Sequence, residues 1–108
     1  MNPLEIARQI AELTAENSRG ADALYEAEIR LAEAENELDL VEARAFLKAE
    51  GAVAVREALA RLESAEARLQ RDLRKAEANR IRVKIKGLET AIMASATQAK
   101  LIASELKV

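Results

Sequence analysis

The chain has 108 residues, a charged fraction of 33% and a formal net charge of −2, with one proline, three glycines, no cysteine and no histidine. Without cysteine there are no disulfides or thiolate metal sites, and without histidine the usual general base near neutral pH and the commonest metal ligand are missing. Ala, Glu, Leu, Arg and Lys predominate while Tyr25 and Phe46 are the only aromatic side chains, a composition that predicts an all-α, non-enzymatic protein with no cofactor and no small-molecule ligand.

Asn2-Pro3-Leu4-Glu5 reads as a helix start. Asn2 is the N-cap, Pro3 sits where a missing N–H costs nothing, and Glu5 completes a capping box. From there apolar or small residues recur at alternating steps of four and three: Ile6, Ile10, Leu13, Asn17, Gly20, Leu24, Ala27, Leu31, Ala34, Leu38, Val41 and Ala45. That is a heptad seam. Asn17 and Gly20 interrupt its apolar character, so residues 17–21 admit two readings. Either Gly20 ends a short first helix and Asp22 caps the next, or one helix continues with Asn17 as a polar residue that fixes register. Preservation of the heptad phase across the segment favours continuity.

Phe46-Leu47-Lys48-Ala49-Glu50-Gly51-Ala52-Val53 separates this periodicity from a second one. Gly51 is the expected pivot of a helical hairpin, because the residue just past a helix end often needs a positive φ. The expected architecture is a single long antiparallel hairpin over residues 1–108, with helices at about 3–50 and 53–106 and a turn at about 50–53. One uninterrupted helix in a parallel coiled coil is the less favoured alternative, since it would hold Gly51 mid-helix. The second helix is expected to bury Val55, Leu59, Leu62, Glu66, Leu69, Leu73 and Ala76, then a set displaced by one residue, Ile81, Ile85, Leu88, Ile92, Ser95, Ala99, Ile102 and Leu106. Gly87 is a mild weakness within it.

Two helices of roughly 70 to 80 Å at 1.5 Å per residue bury little by themselves. Surplus apolar residues at Ile29, Leu40, Phe46 and Leu47 mark an expected oligomer surface, which points to a homodimer or a larger helical bundle. Residues 1–50 carry twelve acids against five bases, a balance of −7, and residues 51–108 carry seven acids against twelve bases, a balance of +5. The halves attract. Within the second, Arg61, Arg68, Arg71, Lys75, Arg82 and Lys86 share a helical face. One reading is a phosphate-tracking surface for nucleic acid. The other is interhelical pairing: a turn at Gly51 sets residues i and about 103 − i side by side, placing Arg68, Arg71 and Lys75 beside Glu35, Glu33 and Glu28. A pI near 5.3 and the scarcity of aromatic rings favour pairing. Paired carboxylates such as Glu33 and Glu37 read as a solvated face.

The run from Glu42 to Ala58 (EARAFLKAEGAVAVREA), followed by the Arg-bearing helix and the Ile81-to-Ile92 seam, resembles small helical proteins encoded in the early regions of tailed phages of actinobacteria. The resemblance covers residues 21–108. It implies an accessory or host-modulating role, and singles out Arg56, just past the turn, without supplying catalytic residues. No stretch approaches the ~18 apolar residues of a membrane span and no basic leader precedes an apolar core, so a cytoplasmic location is expected. The leading functional expectation is a protein–protein interaction or scaffolding module with itself and another protein as partners. A nucleic-acid-binding accessory factor is the alternative.

Overall fold

The computed structural model describes residues 2–106 and shows an all-α helical hairpin of α1 (Pro3–Lys48), α2 (Val53–Glu63) and α3 (Ala65–Leu106). The start of α1 is the capping box expected from its spacing. The Glu5 N–H donates to Asn2 Oδ1 at 2.9 Å, and the Asn2 backbone N–H donates to Glu5 Oε2 at 3.4 Å. Two otherwise unsatisfied ends of the first turn are thereby closed. α1 then passes through residues 17–21 without interruption. Every position of its four-three seam from Ile6 to Ala45 is buried or half-buried, Asn17 and Gly20 included.

Between α1 and α2 the chain turns at Gly51, whose φ of 109° is the conformation for which glycine is needed. The Ala49 N–H still donates to Ala45 O, and α2 opens at Ala52 without a side-chain cap.

Two expectations about the second arm are corrected. It is not one helix from 53 to 106: Ser64 interrupts it, with φ −89° and ψ 4°. The Ser64 hydroxyl donates to Arg61 O at 3.2 Å, a local bond that competes with the helical ladder. Nor do Val55, Leu59, Leu62, Leu69 and Leu73 form its core, since they are 40–72% exposed, and Glu66 and Ala76 are exposed too. The residues turned inward are Ala60, Ser64, Ala67, Arg71, Arg74 and Ala78, which run in the same four-three phase as Ile81, Ile85, Leu88, Ile92, Ser95, Ala99 and Ile102. The expected one-residue displacement near Ala76 to Ile81 does not occur. A helix keeps one phase unless an insertion forces a shift, and the isoleucine-rich later set continues backwards through alanines rather than leucines. Leu106, expected to close that set, is 74% exposed.

Contacts gather into two compact units. One comprises the chain up to Leu24 together with the chain from Arg80 on, and the other comprises Tyr25–Asn79. In the first, Ile6 and Ser95 are buried and Gly20 packs on Ile85 so closely that an added Cβ would lie 3.0 Å from Ile85 Cγ1. Asn17 Oδ1 is buried there with no hydrogen-bond partner. In the second, Ala27, Leu38, Ala45, Ala60, Ser64 and Ala78 are between 0% and 6% exposed, so apart from Leu38 the most buried residues carry short side chains, which lets the helix backbones approach closely.

An unpaired buried amide oxygen costs roughly 1–3 kcal/mol. Asn17→Leu is therefore expected to raise stability to urea by about 1 kcal/mol or more, whereas Gly51→Ala, which forces a Cβ into the left-handed region, is expected to lower it by about 1–2 kcal/mol. Equilibrium denaturation followed by circular dichroism reads both.

Candidate functional site

The unit formed by Tyr25–Asn79 carries most of the residues singled out in the sequence. Along its seam the inward face of α2 and α3 is partly polar. Ser64, 0% exposed, accepts a hydrogen bond from the Arg68 guanidinium at 2.9 Å. The same guanidinium reaches Arg61 O at 3.3 Å and Glu42 Oε1 at 3.4 Å. Further along, Arg30 donates to Glu77 Oε1 at 2.7 Å and Arg74 donates to Glu77 Oε2 at 3.3 Å. The hydrogen bond from Arg30 holds the Glu77 carboxyl below the ordinary value of 4.5, against the opposing effect of desolvation, with the charge of Arg30 and then Arg74 adding to it.

These contacts give Arg68 a partner on α1 and Arg71 a partner on its own helix. Arg68 pairs with Glu42 rather than with Glu35, and Arg71 pairs with its own neighbour Asp72 at 2.7 Å rather than with Glu33. The expected partners were counted from the turn alone. Helical side chains lean toward their own N-terminus, and in an antiparallel pair both partners lean away from the level of their Cα atoms, so long flanking side chains meet at a larger residue sum. Arg61, Arg68 and Lys75 are seven residues apart and occupy one edge of the seam, as do Glu35 and Glu42 on α1. Lys75 is exposed. Arg82 and Lys86 belong to the other unit; Arg82 is exposed but is engaged in an interaction of its own, and Lys86 is exposed while its carbonyl accepts the Thr90 hydroxyl at 3.0 Å. In that unit Lys84 approaches Glu16 at 4.0 Å.

Arg56 ties the turn together. Its Nε and Nη2 donate to Phe46 O at 3.2 and 3.0 Å, and its guanidinium carbon lies 4.2 Å from the centroid of the Phe46 ring. Phe46 O belongs to the last turn of α1, where carbonyls lack helical partners and the helix dipole is negative, so a cation is doubly suited to it. Phe46 is consequently half-buried beneath Arg56, unlike Ile29, Leu40 and Leu47, which are 41%, 39% and 76% exposed. Phe46 thus leaves the surface on which the sequence placed it.

The unit's outer face is where apolar surface accumulates. At about 100° per residue, Val55, Leu59, Leu62, Leu69 and Leu73 fall on the side of α2 and α3 directly opposite Ala60, Ser64, Ala67 and Ala78. The pattern is again a heptad, with Glu66 as its polar member. Glu66 accepts a hydrogen bond from Gln70 at 3.1 Å. Full burial of a leucine is worth about 1.5–3 kcal/mol, so five side chains at 40–72% exposure leave several kcal/mol of burial unrealised. The outer face of α1 is less continuous, since Glu26, Glu33 and Asn36 interrupt Ile29, Leu40 and Leu47.

Two grooves complete the description. One of about 550 Å³ lies between Asp39, Glu42 and Phe46 of α1 and Glu57, Ala60 and Arg61 of α2. Another, of about 210 Å³ and apolar, lies in the first unit between Ile6, Ile10, Ala99 and Ile102. Among the described residues no cluster of three or more His, Cys, Asp or Glu is placed to hold a metal ion, and no helix is long and apolar enough to cross a membrane. No protein family matches the chain, and no curated protein or solved structure matches it.

Arg56→Ala is expected to cost about 1–2 kcal/mol through loss of the carbonyl bonds and the ring contact, with Arg56→Lys recovering only part because one ammonium cannot make both bonds and stack. The lowered Glu77 pKa also has a sign: its contribution to stability is present above the unfolded value near 4.5 and is lost as pH falls through the lower folded value. Urea midpoints measured from pH 7 to pH 3 should fall less steeply for Glu77→Gln than for the natural chain.

Proposed function

We propose that the protein is a non-enzymatic interaction or scaffolding module that binds other polypeptides through the outer face of α2 and α3. The observation that carries this reading is the exposure of Val55, Leu59, Leu62, Leu69 and Leu73 at coiled-coil spacing. A heptad row of leucines is the surface a second helix fits, and monomeric soluble proteins rarely leave such rows open. The helical arms, capped at Asn2 and tied at the turn by Arg56, supply a firm support for that row. An accessory or host-modulating factor, the role implied by the phage likeness, would act in this way.

Nucleic-acid binding through the basic stripe has less to draw on. Arg68 and Arg71 are engaged by Glu42 and Asp72, and acids line the same seam edge. The two readings separate by photo-crosslinking in cells. A photoreactive residue at Leu62 is expected to give a protein adduct, while the same residue at Lys75 gives none. A nuclease-sensitive adduct at Lys75 with none at Leu62 would overturn the interaction reading in favour of nucleic acid.

A further inference from the structure

Building on the interaction reading, we infer that the occupant of the leucine row is a second copy of this chain, docked antiparallel through residues 52–76 of α2 and α3. The row is self-complementary. A two-fold axis level with Ser64 pairs Val55 with Leu73, Leu59 with Leu69 and Leu62 with Glu66, so the row meets itself. A contact that uses the same patch on both partners closes after two copies, as an isologous interface must.

Charge selects the direction. In a parallel pair Glu66 would stack against Glu66 of the second copy, and Asp72 would lie beside its Glu77. In an antiparallel pair centred on the row, Leu62 falls level with Glu66 of the second copy, Leu59 with Leu69 and Val55 with Leu73, so Glu66 does not stack against its own counterpart. Ala58 and Ala65 flank the row on one side and allow the helices to approach closely. The α1 outer face lacks a continuous row, so it offers no comparable surface for a chain of helices to propagate. Five large apolar side chains from each copy over 25 residues of helix make an interface at the low end of stable ones, roughly 1,200 Å² in total. A concentration-dependent dimer follows.

Sedimentation equilibrium of the full chain over micromolar to millimolar concentrations tests this directly. The mass is expected to rise from 11.8 kDa toward twice that value. Leu62→Glu and Leu73→Gln, both at exposed positions, should retain full helicity by circular dichroism and stay at the monomer mass. Glu66→Leu should lower the dimer dissociation constant tenfold or more. A spin label on Ala54→Cys, clean in a chain without cysteine, reports direction. Labels about 30 Å apart, the axial offset of some 20 residues, fit the antiparallel dimer, whereas about 10–15 Å indicates a parallel one and overturns the stated docking. A natural chain that remains monomeric throughout, or an oligomer that Leu62→Glu leaves intact, also overturns it. In those cases a protein adduct at Leu62 that is not this chain would leave the broader interaction reading standing.

Discussion

Close approach of the helices through short side chains is the constraint on which the other features depend. Ala27, Ala45, Ala60, Ser64 and Ala78 are almost completely buried, and Gly20 lies so close to Ile85 that a methyl group there would press on its side chain. Backbones brought this near leave little space for bulky residues opposite the alanines of α2 and α3, and Leu38 is the one large side chain among the most buried residues of the unit. Leu59, Leu62, Leu69 and Leu73 are therefore turned to the far side, and the longer residues that remain inward in this unit, Arg71 and Arg74, lean out along the groove until their charged ends reach acids at its edge.

The charge pattern is a consequence of the same geometry. Arg61, Arg68 and Lys75 stand at one edge of the seam because they are seven apart and in phase with its small residues. Arg68 meets Glu42 there, and Arg30 crosses in the opposite sense to Glu77. Surface pairs of this kind contribute little stability individually, but they discriminate strongly between alignments because a slip sets like charges opposite. The excess of acid in one half of the sequence and of base in the other acts on alignment more than on affinity. Asn17, unsatisfied at the seam of the other unit, has the same character: a local cost that penalises any register that would bury it beside larger apolar neighbours.

At the turn, glycine and arginine act on different parts of one problem. Gly51 provides the positive φ that reverses the chain, and Arg56 reaches back to the carbonyl of Phe46 and covers its ring. That contact half-buries the chain's only phenylalanine and leaves Leu47 exposed next to it. The apolar surface of the unit forms a continuous row on the back of α2 and α3, whereas on α1 it is broken between Ile29, Leu40 and Leu47.

The amino-acid sequence by itself determined the helical class, the capping box at Asn2 and Glu5, the turn at Gly51, and the α1 seam from Ile6 to Ala45. Each rests on local propensity or on a periodicity with no rival nearby. In the second arm two four-three rows of the same spacing coexist, one of leucines and one of alanines, serine and arginines, and hydrophobicity alone favours the leucines. Only the tertiary structure decided between them, because the choice depends on how near α1 comes, and that distance belongs to a pair of helices and not to either one. The break at Ser64 was hidden for a related reason: its hydroxyl competes with the helix only once burial removes water as a partner and Arg68 arrives to share it. The partners of the basic stripe were shifted by side-chain lean in an antiparallel pair, a three-dimensional effect that counting from Gly51 does not contain.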